Sequence, residues 1–353
     1  MTQHPNETRR LFLAAGVAAT ATAVQAQTPV STRTSGNTGD QLPTVVGTAH
    51  WTTKHVGTES VRLFMWRKHL ADPKLVAGKP GAGKVIVFVH GSSVSSTPVY
   101  DLQIPGRANS SMMDRFARLG YDTWCFDCEG YGRSDKTRPV NADISCGADD
   151  MAVVSDYVVK LTGKPNFLSY GSSSGALRAA LYAQRHPDRI SRLALDAMVW
   201  TGQGSPTLAE RKKKLDAYRA NNRRAIDRDM IRSIFTRDHP GTSDLTVVEA
   251  FADAVLALDT SVPTGTYIDM SANLPVCDPE KIKVPALIMR GQYDGIASFA
   301  DLTAFFEKLP NGDKQFIVMP GIAHTSTRSK NFELVYHILE SYFSQPAPVY
   351  TGA

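Results

Sequence analysis

Between residues 166 and 185 the chain changes its hydrophobic period with almost no loop in between. Asn166-Phe167-Leu168-Ser169-Tyr170 reads as a buried strand and 174–185 has helical spacing, with only Gly171-Ser172-Ser173 to join them. A strand that turns straight into a helix starts a right-handed crossover, and a chain made of such units forms a parallel sheet covered by helices on both faces. The rest of the sequence repeats the pattern. Apolar, β-branched runs occur at 61–66, 84–90, 121–127, 192–199, 284–290 and 315–319, with helical segments at 111–119, 148–161, 299–309 and 331–343. The class is α/β.

The turn itself carries chemical information. In Gly171-x-Ser173-x-Gly175 the glycines remove the Cβ atoms that would crowd a tight strand-to-helix turn, so the serine between them is lifted clear of the sheet at a helix N-terminus. Three serines are adjacent, but only Ser173 has glycine two residues away on both sides, which makes it the candidate nucleophile. Upstream, Val85-Ile86-Val87-Phe88-Val89-His90-Gly91-Ser92 is an apolar strand ending in His-Gly. The backbone N–H groups of Ser92 and Ser174 are the candidate oxyanion donors. His90, at a strand end, reads as a structural hydrogen-bonding residue. The candidate base is His324 in Met319-Pro320-Gly321-Ile322-Ala323-His324, a loop between the last strand and the last helix. Two aspartates could orient it. Asp294 follows the 284–290 strand and gives the chain order Ser, Asp, His, whereas Asp196 ends the strand after the elbow; Asp294 is preferred and Asp196 is the alternative.

Together these residues resemble the α/β-hydrolase superfamily over nearly all of the chain after its first residues, and Gly130-Tyr131-Gly132-Arg133-Ser134 resembles a loop found in many capped members. The resemblance implies a mostly parallel eight-stranded sheet with helices on both faces, a helical cap, no metal and no organic cofactor. Ser172, before the nucleophile, departs from the aromatic residue or histidine often found there. A serine rather than an aspartate at the elbow sets the chain apart from haloalkane dehalogenases and epoxide hydrolases. The implied activity is hydrolysis of a carboxylic ester or lactone through an acyl-enzyme. Amide, peptide or carbon–carbon bond hydrolysis on the same triad, or a non-catalytic ligand-binding receptor, are the alternatives.

The expected layout is a core over 45–200 and 284–353 with a helical cap over 201–283, where no buried-strand signal is found. Charge in that insertion is uneven: residues 211–237 hold ten Lys or Arg against three acids, while 238–280 hold eight acids and no Lys or Arg. This is either a charged mouth for an anionic substrate or two halves that are solvated or paired with each other; charge runs are usually solvated faces, so the second reading is preferred.

Arg9-Arg10 ahead of an apolar stretch, with Val24-Gln25-Ala26 before Gln27, reads as a twin-arginine export signal over 1–26, followed by a flexible leader over 27–44. The apolar stretch is shorter than the roughly 20 residues of a spanning helix, so the mature chain is expected to be periplasmic or secreted without stable membrane insertion. In such a compartment Cys125, Cys128, Cys146 and Cys277 are disulfide candidates, although a strand would hold Cys125 and Cys128 too far apart to bond to each other. With 21% charged residues and a formal charge of +5, but no basic tract interleaved with aromatics, a small-molecule substrate is expected and a nucleic-acid partner is not.

Overall fold

The computed structural model describes residues 42–107 and 110–350. The expected export signal, and the leader apart from its last three residues, lie outside the described residues. The chain opens with a long antiparallel hairpin, β1 (Val45–Val56) and β2 (Glu59–Leu70), followed by the fully buried β3 (Val85–Val89). Helices α1 (Ser96–Tyr100) and α2 (Met112–Arg118) lead to β4 (Asp122–Phe126), α3 (Ile144–Thr162) to β5 (Phe167–Ser172), and α4 (Ser174–Arg185) to β6 (Ile190–Asp196).

The insertion comes next. It contains α5 (Pro206–Lys212), α6 (Leu215–Ala220), β7 (Arg223–Ala225), α7 (Arg228–Thr236), α8 (Leu245–Leu256), β8 (Ser261–Pro263) and α9 (Gly265–Ile268). The chain then returns to the sheet through β9 (Ala286–Gly291), α10 (Phe299–Lys308), β10 (Lys314–Met319) and α11 (Phe332–Ser344).

The main sheet has eight strands in the order β1-β2-β4-β3-β5-β6-β9-β10 and is parallel except where β2 pairs with β1 and β4. Every strand read from an apolar run is present. The edge strand β1 gave no such run because it is paired on one side only and its Val-Gly-Thr-Ala-His-Trp-Thr-Thr-Lys stretch is half exposed. The 201–283 insertion is not wholly helical, because β7 and β8 pair with each other across it. At three residues each, with Arg223 and Arg224 in one, they are too short and too polar to show a strand period. The four cysteines, candidates for disulfides, are free thiols. Among the described residues, no helix is long and apolar enough to cross a membrane.

The order of the strands decides the site. β3, β5, β6 and β9 are consecutive neighbours, so their carboxyl ends, carrying residues 90–93, 173, 196 and 294, open onto one crevice. The insertion leaves the sheet from the end of β6 and returns at β9, beside that same crevice.

Candidate active site

Ser173 lies between the last residue of β5 and the first of α4, with φ 58° and ψ −126°, a conformation that L-residues rarely adopt. Its glycines are sterically required. A Cβ on Gly171 would lie 2.7 Å from the Ala176 Cα, and one on Gly175 would lie 2.6 Å from the His90 carbonyl oxygen, both inside contact distance. The Ser173 N–H donates to the Asp196 carbonyl at 2.9 Å, fixing the turn against β6.

The predicted nucleophile, base and acid meet. Ser173 Oγ is 3.0 Å from His324 Nε2, and His324 Nδ1 is 3.0 Å from Asp294 Oδ1. Asp294 is buried, and the Ile296 N–H donates to the same oxygen. Burial opposes its charge, but His324, the Ile296 N–H and Arg237 together outweigh burial and hold the carboxyl below the ordinary aspartate range. It therefore stays ionised at neutral pH, as a group that must stabilise an imidazolium should.

Asp196 is used differently. Its Oδ2 accepts from the Tyr170 hydroxyl at 2.6 Å and from the Ser326 hydroxyl. Burial raises its carboxyl to about 6, against the lowering effect of those two donors. Among the described residues His324 hydrogen-bonds Ser173 and Asp294, and Asp196 braces the loop that carries the histidine. Sequence order favoured Asp294, and Asp294 is the carboxylate that lies against His324.

Ser92 and Ser174 are brought together by a 2.7 Å hydrogen bond from the Ser92 hydroxyl to that of Ser174. Ser174 is the first residue of α4, where a helical N–H has no intrahelical acceptor. His90 is fully buried, accepts from the Cys128 N–H at 3.0 Å through Nε2, and sits 2.8 Å from the Gly91 carbonyl through Nδ1. Burial, with Arg178 nearby, depresses its imidazole to about 3, so it is a neutral structural residue that fixes the β3 loop.

Residues 83–331 match the family Hydrolase_4, described as serine aminopeptidase, S33. The chain belongs to this family of α/β hydrolases. The α/β hydrolase is similar to the AB hydrolase superfamily protein YisY of Bacillus subtilis, with 26% identity over 257 residues, 68% of this chain and 84% of the relative. It superimposes on a malate-bound thermophilic esterase of Thermogutta terrifontis with a TM-score of 0.59 at 20% identity, covering 83% of this chain and 97% of that one. It also superimposes on the enol-lactonase of Burkholderia xenovorans LB400 with a TM-score of 0.59 at 16% identity, covering 83% of this chain and 100% of that one. At these identities the two structures share its fold.

Sequence reasoning missed the other wall of the crevice. A cavity of about 50 Å³ is lined by Ser92, Ser173 and His324 and also by Arg211, Arg237, Phe251 and Arg328. Asp238 also comes close, its carboxylate within 4.8 Å of the ligating atoms of Asp294 and His324. The uneven charge of 201–283 was the available signal, but spacing alone does not say which arginines face inward. A second group of acids, Glu129 and Asp150 beside Cys146, already holds a cation: Lys54 Nζ is 2.8 Å from Glu129 and 2.5 Å from Asp150.

Proposed function

We propose that this α/β hydrolase is a serine esterase that hydrolyses a carboxylic ester or lactone in two acyl-transfer steps, with residues 201–283 acting as a cap over its active site. The reading rests on one observation, the unbroken chain of 3.0 Å contacts from Ser173 Oγ through His324 to Asp294. His324 Nε2 takes the Ser173 proton as Oγ attacks the carbonyl carbon, and the Ser92 and Ser174 N–H groups receive the developing oxyanion. Collapse expels the alkoxide, which takes the proton back from His324. Water, deprotonated by the same nitrogen, then releases the acid and restores Ser173. Two of the proteins that share its fold, an esterase and an enol-lactonase, are in keeping with this reaction class.

The family's description suggests a second reading, hydrolysis of a peptide bond near a free amino terminus. Three arginines line the cavity, and their charge opposes the ammonium group of such a substrate.

The test compares wild type with Ser173→Ala on a p-nitrophenyl ester and an aminoacyl p-nitroanilide, together with the mass shift after fluorophosphonate treatment. The ester should be turned over and Ser173 labelled. The variant should lose about four or more orders of magnitude in kcat while its melting temperature is retained. Preferential cleavage of the anilide would favour the peptidase reading, and a variant of near-normal rate would overturn the assignment of Ser173.

A further inference from the structure

Two groups of arginines in the insertion differ in their partners. Arg228 pairs with Glu249 at 2.8 Å and with Asp253 at 2.5 Å, and Arg232 pairs with Glu249 at 2.7 Å, tying α7 to α8. Of those that turn inward, only Arg237 has an acid partner among the described residues. The Arg211 guanidinium lies 4.2 Å over the Tyr267 ring, and among the described residues only the Met270 sulfur is at hydrogen-bonding range. Arg224 lies 3.9 Å over the same ring, donates to the Ser93 hydroxyl at 2.7 Å and leaves its buried Nε without a partner. Arg328, on the core side, bonds the Val99 carbonyl and the Thr327 hydroxyl, and its buried Nε also lacks a partner. Among the described residues, none of these three forms an ion pair with a carboxylate, and Arg237 has only Asp238, at 3.4 Å.

Gathering partly buried guanidinium groups around one phenol, Tyr267, and one acid, Asp238, costs desolvation and mutual repulsion. Acids were available, since the same insertion carries eight between residues 238 and 280. The local field is strong enough to act on Tyr267: burial opposes ionisation of its phenol, yet Arg211 and Arg224 bring it down to about 6. Three of these guanidinium groups line the cavity that holds Ser173, and guanidinium presents a planar fork that matches a carboxylate.

We propose that the ester or lactone cleaved at Ser173 carries a carboxylate, and that Arg211, Arg237 and Arg328 bind it. A cavity of about 50 Å³ beside the nucleophile suits a short acid with a compact anionic end. The inference rests on the serine-esterase reading and adds the substrate class to it.

The test uses two esters matched in acyl length, mono-p-nitrophenyl succinate and p-nitrophenyl butyrate, which differ in the distal carboxylate. Wild type should favour the succinate ester by about tenfold or more in kcat/KM, the worth of one charge-assisted pair. The preference should shrink as salt rises. Arg211→Gln and Arg237→Gln should lower the ratio, Arg211→Lys should restore part of it, and Arg232→Gln, whose guanidinium is held by Glu249, should keep it. Should the glutamine variants fail to fold, the salt dependence in wild type and stronger inhibition by succinate than by succinamide carry the same test. Equal Ser173-dependent turnover of both esters would overturn the anionic substrate and leave the esterase standing. Turnover of neither, with no fluorophosphonate label on Ser173, would overturn both.

Discussion

On the sheet side of the crevice, Ser173, His324 and Asp294 lie in a closed chain of hydrogen bonds, and Asp196, Ser326 and Tyr170 brace it from behind. On the insertion side, among the described residues, Arg211 and Arg224 both lie over the Tyr267 ring without a carboxylate partner, and Arg237 pairs with Asp238 alone, at 3.4 Å. The sheet wall pairs its charged groups within itself, although Asp294 Oδ2 and Asp196 Oδ1 have no hydrogen-bond partner among the described residues. The other sets Arg211, Arg224 and Arg237 against the Tyr267 phenol and the Asp238 carboxylate, within a segment that pairs its outward Arg228 and Arg232 with acids of α8. The contrast separates two tasks: reacting groups must be held in place before substrate arrives, whereas a wall that selects a substrate can leave its charge for the substrate to complete.

The largest effect that would break this division lies in the choice of acid. Asp294→Asn should lower kcat by about four orders of magnitude, because the amide cannot hold the imidazole in its productive state or stabilise its positive form. Asp196→Asn should cost up to about tenfold, the worth of one hydrogen bond behind the histidine loop. Steady-state rates on a neutral p-nitrophenyl ester decide the matter, and equal losses would mean that the two carboxylates act as a unit.

A smaller effect concerns how the sheet wall holds itself neutral. His90 is depressed to about 3 when folded and returns to about 6.5 in the unfolded chain, which therefore binds more protons between those values. The stability that His90 contributes is present above about pH 6.5 and is lost as pH falls toward 3. Between pH 7 and pH 5 this amounts to about 2 kcal/mol, read from urea midpoints. His90→Asn should show a correspondingly flatter pH dependence; an unchanged slope would remove the neutral-histidine account.

The smallest effect tests the insertion wall. If Arg211 is held against its own repulsion and desolvation, Arg211→Gln without ligand should melt a degree or two higher than wild type, about 0.5 kcal/mol. Arg232→Gln should leave the melting temperature nearly unchanged, since its pairs lie on the surface. A lower melting temperature for Arg211→Gln would make that guanidinium a structural group and dissolve the contrast between the walls.

The catalytic wall was legible because its constraints are local. Gly171 and Gly175 are demanded by a backbone turn only five residues long, the buried runs of β3, β5, β6 and β9 announce themselves, and His324 stands at the one late loop between the last strand and the last helix. The choice between Asp294 and Asp196 was less so, since β6 and β9 are adjacent and both aspartates belong to the same edge of the sheet. Asp196 is drawn away by Tyr170 and Ser326, residues 26 and 130 positions distant, and no spacing rule encodes such a contact.

The sequence by itself determined the α/β alternation, the elbow and the positions of the candidate nucleophile and base, because strand periods, glycine sterics and chain order act over a few residues. Only the tertiary structure decided which carboxylate meets the histidine, which short strands β7 and β8 pair across the insertion, and which of its ten basic residues between 211 and 237 turn inward. Charge along a chain has no direction until packing gives it one. Arg228 and Arg232 found acids on α8, while Arg211 and Arg237 came to rest over Ser173.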